Sequence, residues 1–235
     1  MSFSSSGGPP LPRLVPGSTL QTQLQSEGVR FSEDNNNRLL IEHIIHYATP
    51  GHIAKVIWFR ETSRFHHEYL LMCVKSHNGR LSWIRVERMG SLPADRRNVG
   101  LDDSLKDQAH LVVTLAPSRE NLICNDDRAL AEFDLDQDAA KLVDVARLIL
   151  IVHNEEPKYD LVYYNCWWLA RLTTQALAET FMHTSPRDKK KVLMRCIRSS
   201  YKHSYVFTEF GPSTEGYFGD RRKRVMAEFN ALFYN

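Results

Sequence analysis

The sequence predicts an α+β fold in which a small, largely antiparallel sheet packs against helices. Segments rich in β-branched and aromatic residues come first, between residues 53 and 115, and a long stretch of helical periodicity begins near residue 138. Strands followed by helices, rather than alternating with them, are typical of α+β domains. Asn78-Gly79 separates two of the strand-like segments, and this dipeptide is a strong short-range signal for a β-hairpin.

The individual elements follow from periodicity and from turn residues. Leu39, Leu40, Ile44 and Ile45 recur at helical spacing, and Pro50-Gly51 ends that helix. The spacing of apolar residues predicts further helices over 138–153, from Cys166 to about Phe181, and over 221–232. Alternating or continuous runs of strand-forming residues predict strands over 53–59, 69–74, 81–86, 110–115 and 205–210.

Length and composition indicate one globular domain behind a tail. The chain has 235 residues, of which 43% are hydrophobic and 25% are charged, as in ordinary soluble domains. This composition excludes collagen-like, wholly disordered and disulfide-scaffold proteins. Residues 1–37 are rich in Ser, Gly, Pro, Gln and Asn and predict a disordered tail. We expect residues 38–235 to form a single α+β domain.

The cysteine pattern and the hydropathy predict a cytoplasmic or nuclear protein. The four cysteines are scattered, without a Cys-x-x-Cys pair, which favours a reducing compartment. No segment reaches the ~20 uninterrupted apolar residues that a membrane-spanning helix needs. The N-terminus lacks the basic start and apolar run of a secretory signal. We therefore expect no integral membrane segment.

Charge and motifs argue against nucleic acid, cofactors and metal. The net charge of +2 is too balanced to indicate a nucleic-acid partner, and we interpret the basic runs 189–191 and 221–224 as solvated faces. No glycine-rich phosphate loop is present. His43 and His46 have helical spacing, but no nearby Cys or carboxylate completes a metal-ligand set.

The most informative segment is Asn165-Cys166. Asn is a preferred N-cap residue, so Cys166 is expected to be the first residue of a helix. The free N–H groups and partial positive charge of a helix start favour the thiolate form of a cysteine and can stabilise an oxyanion. The alternative is a buried structural thiol, since cysteine is among the most buried residue types and Trp167 and Trp168 follow it.

A nucleophilic thiol needs a base, usually a histidine that a third polar group orients. His66 and His67 open the strand before Asn78-Gly79, and Glu87 lies on its return partner. A two-residue loop places Glu87 on the face of His66, whereas a three-residue loop places it on the face of His67. A one-residue slip exchanges the two faces. The residues alone leave both registers open.

Around the cysteine, the pattern Tyr159-x-Leu161-x-x-x-Asn165-Cys166, followed by an apolar helix, resembles the lecithin retinol acyltransferase-like proteins. These belong with the NlpC-type peptidases to a circularly permuted, papain-like superfamily of cysteine hydrolases. The order of the segments in this chain is also similar: a histidine strand (residues 67–71), a strand with a polar residue (residues 83–88), and then the cysteine.

The resemblance implies a permuted papain-like fold and a catalytic set of Cys166, His67 and Glu87. Cys166 would attack an ester or amide of a lipid or peptide-type acyl substrate and form a thioester. His67 would transfer the proton, and Glu87 would orient the imidazole at a position where the family often has His. The alternative from another class is a non-catalytic interaction module that keeps this fold and a buried Cys166.

Overall fold

A six-stranded sheet forms the centre of the computed structural model, which describes residues 13–14, 41, 50–62, 67–89, 109–124, 126–136, 139–156, 166–201 and 213–234. The strands are β1 (Arg13–Leu14), β2 (His52–Arg60), β3 (Glu68–Lys75), β4 (Leu81–Met89), β5 (His110–Ala116) and β6 (Arg128–Asp134). Their spatial order is β1-β5-β4-β3-β2-β6. The five longer strands are antiparallel to their neighbours, and only the two-residue β1 pairs in parallel, with β5.

The hairpin predicted at Asn78-Gly79 joins β3 to β4. Ser76 N–H donates to Arg80 O at 2.9 Å, so three residues, 77–79, form the loop. Gly79 has a φ of 78°, the left-handed conformation that a three-residue hairpin loop requires at its last position. The resulting register places Tyr69 opposite Glu87. Of the two registers that the residues alone left open, the structure has the one that places Glu87 on the face of His67.

Two strands lie outside the predicted set. β6 was not predicted because its sequence, Arg-Ala-Leu-Ala-Glu-Phe-Asp, is rich in helix-favouring residues, and only two of its side chains, Ala131 and Phe133, are buried. Antiparallel pairing with β2 overrides this local preference. β1 falls within residues 1–37, for which composition predicts a tail, and it adds a short edge next to Thr114 and Leu115 of β5.

Four helices follow the strands in the described residues, and the predicted α+β class is confirmed. They are α1 (Leu142–Asn154), α2 (Cys166–Phe181), α3 (Pro186–Tyr201) and α4 (Ser213–Tyr234). The helix predicted to begin at Cys166 therefore has the expected bounds. Of the helix predicted near residues 39–45, only Ile41 lies among the described residues, where it is helical and buried. The strand predicted over 205–210 lies outside them.

Both faces of the sheet are buried. Alternate residues of β3, such as Leu70 and Met72, pack with the helices in the main core, which also contains Trp58 and Trp168. The intervening residues, such as Tyr69, pack in a smaller core on the opposite face; its other buried members are Ile57, Phe59, Leu71, Ala116 and Leu122. Burial on both faces explains why β3 is a continuous apolar run after Glu68.

Helix α2 is the central helix of the helical layer. Almost all of its side chains are buried, including those of Arg171, Thr173 and Gln175, and it packs against β3, β4 and the other three helices. A helix that is buried around most of its circumference lies inside a core rather than on its surface. Neither α2 nor any other helix in the described ranges is long and apolar enough to cross a membrane.

The basic run 221–224 holds α4 against its neighbours. Arg224 donates from Nε and Nη2 to Glu155 Oε1, at 2.8 and 2.5 Å, just beyond the end of α1. Arg221 donates from Nη1 to the Glu155 carbonyl oxygen at 3.0 Å, and Arg222 lies 3.6 Å from Glu179 of α2. Three of the four basic side chains of this run therefore make contacts within the fold.

Candidate active site

The start of α2 meets the end of the β3–β4 ladder. The last pair of that ladder is Tyr69–Glu87, and the preceding N–H of β3, that of Glu68, donates to Cys166 Sγ at 3.4 Å. Cys166 is the first residue of α2, as the sequence predicts, and its side chain is buried. Asn165, the predicted N-cap, lies outside the described residues. The sulfur therefore receives one backbone hydrogen bond at the N-terminal end of a helix.

His67 hydrogen-bonds to both of the other predicted residues. Its Nε2 lies 2.7 Å from Glu87 Oε2, and its ring also hydrogen-bonds to Cys166. Burial lowers the pKa of His67, but the hydrogen bonds and charges of Cys166 and Glu87 outweigh burial and raise the pKa to about 10. The structure thus brings Cys166, His67 and Glu87 into one hydrogen-bonded series. His66, the other candidate base, lies outside the described residues.

Glu87 is an ionised carboxylate within a buried environment. Burial raises the pKa of Glu87, but the hydrogen bond from His67 and the charge of Arg85 outweigh burial and lower the pKa to about 2. An ionised carboxylate is only an acceptor, so Nε2 of His67 must carry the hydrogen that they share. The nitrogen left for Cys166 is Nδ1. This arrangement fixes both the orientation of the imidazole and its tautomer.

Arg85 and Glu61 extend this series behind Glu87, and sequence reasoning assigned them no role. Arg85 Nη2 donates to Glu87 Oε2 at 2.9 Å and to Glu61 Oε1 at 2.6 Å. Arg85 and Glu87 are two residues apart on β4 and so share a face, which was visible in the sequence. Glu61 follows the end of β2, and its proximity depends on the β2–β3 pairing, which carries no local signal.

Three of these side chains have donor atoms that are close enough for a metal ion. Atoms of Glu61, His67 and Glu87 lie within 4.8 Å of one another. However, Nη2 of Arg85 already donates to both carboxylates, so a guanidinium supplies the positive charge that a cation would bring. We interpret the group as an ion-pair cluster rather than as a metal centre.

A second buried carboxylate lies on the helix side of the sheet. Glu68 accepts a hydrogen bond from Trp58 Nε1 at 2.8 Å and one from Arg60 Nε at 2.7 Å. Burial raises the pKa of Glu68 to about 7, although Arg60 has the opposite effect. Because neighbouring residues of a strand point to opposite faces, the side chain of Glu68 lies on the face opposite that of His67, and only its backbone N–H contacts Cys166.

The two tryptophans after Cys166 belong to the core. Trp168 is fully buried, with the Arg88 guanidinium 4.9 Å from its ring centroid, and Trp167 has Arg171 5.3 Å from its own. These contacts favour the packing interpretation of Trp167-Trp168 over a role in lining a substrate groove.

The site therefore brings together the side chains that general acid–base and nucleophilic chemistry uses. A thiol, an imidazole and an ionised carboxylate lie in series, which is the arrangement that activates a cysteine nucleophile. Comparisons of this chain with protein-family models, with curated proteins and with solved structures found no match.

Proposed function

We propose that this protein is a cysteine-dependent hydrolase or acyltransferase that acts on an ester or amide through a thioester intermediate. The observation that carries the proposal is the position of His67, whose Nε2 is held by Glu87 at 2.7 Å while its ring hydrogen-bonds to Cys166. A base that contacts the nucleophile on one side and an orienting carboxylate on the other is the recurring signature of activated nucleophiles.

In the first half of the proposed reaction, the Cys166 thiolate attacks the carbonyl carbon of the substrate and a C–S bond forms. The C–O or C–N bond to the leaving group then breaks, and the protonated His67 gives its proton to that group. The positive end of the α2 helix dipole would stabilise the negative charge on the carbonyl oxygen. Glu87 stays ionised throughout and stabilises the positive charge on the imidazole.

In the second half, water or an acceptor hydroxyl or amine attacks the thioester. His67, now neutral, takes the proton of the attacking group, and the C–S bond breaks to release the acyl product. The Cys166 thiolate and the protonated His67 are thereby restored. Hydrolysis and acyl transfer differ only in the acceptor, so one site supports both.

The finer assignments belong to the same proposal. The chain order of His67, Glu87 and Cys166 supports a permuted papain-like arrangement within the α+β fold. We propose a lipid or peptide-type acyl substrate and a cytoplasmic or nuclear location, without nucleic acid as a partner and without a cofactor.

A non-catalytic interaction module remains the second candidate, and one observation favours it. Cys166 has a relative exposure of only 8%, which is typical of a structural thiol. The two candidates differ in the reactivity of that thiol. An enzyme has a selectively reactive Cys166 in the folded chain, whereas a module has a thiol that stays inert until the chain unfolds.

The test combines alkylation with an acyl probe. Folded wild-type protein is treated with iodoacetamide near neutral pH, and labelling of each cysteine peptide is followed by mass spectrometry. We expect Cys166 to react faster than buried Cys73, whose pKa burial raises. We also expect p-nitrophenyl butyrate to give a burst of p-nitrophenol and a butyryl adduct on Cys166.

Variants connect these signals to the proposed residues. His67→Gln is expected to remove both the burst and the fast alkylation while the circular dichroism spectrum stays that of the wild type. Cys124 is exposed and lies outside the proposed set, so Cys124→Ser serves as the matched control and should retain both signals. If Cys166 reacts only after denaturation, the protein is a non-catalytic interaction module and the proposed activity is wrong.

A further inference from the structure

Behind Glu87, the side chain of Arg85 is held from several directions. Its Nη2 bonds Glu87 and Glu61, and its Nη1 donates to the Leu122 carbonyl oxygen at 3.1 Å. These three acceptors come from β4, from the end of β2 and from the segment after β5. The side chain is 14% exposed, so solvent competes little for its donors.

The fourth contact is an aromatic ring. The Arg85 guanidinium carbon lies 3.7 Å from the centroid of Tyr69, the residue that pairs with Glu87 across the strands. Tyr69 is itself fixed, because its hydroxyl donates to Asp127 Oδ2 at 2.6 Å, and the same oxygen accepts the Cys124 N–H at 2.9 Å. A guanidinium stacked on a ring and hydrogen-bonded at its edges has little freedom to move.

We propose that Arg85 is a positioning residue for the thiol site: it holds Glu87 in the conformation that binds Nε2 of His67, and thereby directs Nδ1 of His67 toward Cys166. This inference rests on the proposed function, because positioning of His67 matters only if the imidazole serves the thiol. Arg85 does not contact Cys166 or His67 in any described interaction, so it acts through Glu87.

The geometry of the shared oxygen supports this role. His67 and Arg85 both donate to the same atom, Oε2 of Glu87, at 2.7 and 2.9 Å. One carboxylate oxygen that receives two charge-assisted hydrogen bonds is restrained in direction as well as in charge. Without Arg85, Glu87 would lose one of these two restraints and could rotate away from the imidazole.

The experiment measures the rate of Cys166 alkylation by iodoacetamide across the pH range in wild type, Arg85→Gln and Arg85→Lys. We expect Arg85→Gln to lower the rate near neutral pH by about tenfold, the lower end of what loss of an orienting partner costs in comparable sites. Arg85→Lys keeps the charge but not the planar fork, so we expect it to restore only part of the rate.

A tautomer measurement separates positioning from a merely structural role. ¹⁵N chemical shifts of the His67 ring report which nitrogen carries the proton at a pH above its titration. In wild type we expect the Nε2–H form to predominate, and in Arg85→Gln a mixture of both tautomers. Arg147→Gln is the matched control, because Arg147 pairs with a carboxylate, Asp144, on α1 away from this site.

The outcomes are distinguishable. If His67→Gln abolishes fast alkylation but Arg85→Gln leaves the rate, the pH profile and the tautomer as in wild type, the role of Arg85 is disproved and the proposed function stands. If His67→Gln also has no effect, the proposed function fails together with this inference. If Arg85→Gln does not fold, the charge-conserving Arg85→Lys is used for the test instead. A pH profile of Cys166 alkylation identical to that of wild type then overturns the inference.

Discussion

The Nε2 atom of His67 lies 2.7 Å from Oε2 of Glu87, which stands opposite Tyr69 on the neighbouring strand. Glu87 is buried and His67 half-buried at the end of the β3–β4 ladder, next to the first residue of α2. Burial of this carboxylate strengthens its interaction with the imidazole, because few water molecules screen it. The charge state of His67 is therefore the property through which the site is most directly tested.

Removal of the Glu87 charge should lower the pKa of His67. That pKa is raised to about 10, and Glu87 contributes to the rise through a hydrogen bond and through its charge. We expect Glu87→Gln to lower the pKa of His67 by at least about one unit, the lower range for loss of a close opposite charge. NMR titration of the His67 ring in both proteins measures this change in pKa. Glu132→Gln, which removes a carboxylate bound to Lys55 on an outer strand, should leave His67 unaffected.

Folding stability should depend on pH through His67. Its pKa in the folded state, about 10, lies above the ordinary value of 6.5, so the protonated ring stabilises the fold. This stabilisation is complete below about pH 6.5 and is lost as the pH rises through about 10. We expect the free energy of unfolding of wild type, relative to that of His67→Gln, to fall across this window. Urea unfolding at several pH values tests this, and a constant difference would contradict it.

Glu68 should produce a dependence of the same sign at lower pH. Burial raises its pKa from 4.5 to about 7, so the unfolded chain releases this proton at a lower pH than the folded chain. The contribution of Glu68 to stability is therefore highest below about pH 4.5 and falls until about pH 7. Above that pH, the cost of burying its charge is constant. The stability of wild type relative to Glu68→Gln should decline over that range in the same urea titrations. A difference that rises with pH would mean that Arg60 outweighs burial.

Arg88 should contribute strongly to stability from the helix side. The side chain of Arg88 is fully buried, and its guanidinium lies over the ring of Trp168. Its Nη1 also hydrogen-bonds to Nδ1 of His153, near the end of α1, at 3.0 Å. Replacement by Ala removes these contacts and leaves buried acceptors unsatisfied, so we expect a loss of about 3 kcal/mol.

Denaturant unfolding checks this value against a matched surface arginine. Arg80 lies in the exposed β3–β4 turn, and we expect Arg80→Ala to change stability by less than about 0.5 kcal/mol. Equal effects of the two substitutions would show that the buried contacts of Arg88 add no net stability.

Local patterns predicted the elements that carry the site but not their assembly. Apolar runs and Asn78-Gly79 identified β2 to β5, and helical periodicity identified the helix that begins at Cys166. These signals lie within a few residues of one another. β6 was missed because its helix-favouring sequence becomes a strand only through pairing with β2.

The partners of the site residues depend on long-range geometry. The choice of Glu87 as the partner of His67 needed the register of the hairpin, which one residue of slip reverses. Glu61 and Arg85 meet because β2, β3 and β4 are adjacent in the sheet. A short stretch of sequence does not show which strands are adjacent. A charged residue on a strand is ordinarily expected to face solvent, so the partial burial of Arg85 and the full burial of Glu68 were not visible either.

The three-residue loop 77–79 has a consequence at the other end of its hairpin. It begins eight residues along the chain from Tyr69, or roughly 26 Å at the usual rise of a strand. Its length alone determines which residue of β3 stands opposite Glu87. With the sequence unchanged, a two-residue loop, 78–79, would instead place Glu87 opposite Leu70, on the face of the main apolar core, and separate it from His67. The backbone conformation of this remote, solvent-exposed turn, with Gly79 in the left-handed region, therefore determines the geometry of a site that it does not touch.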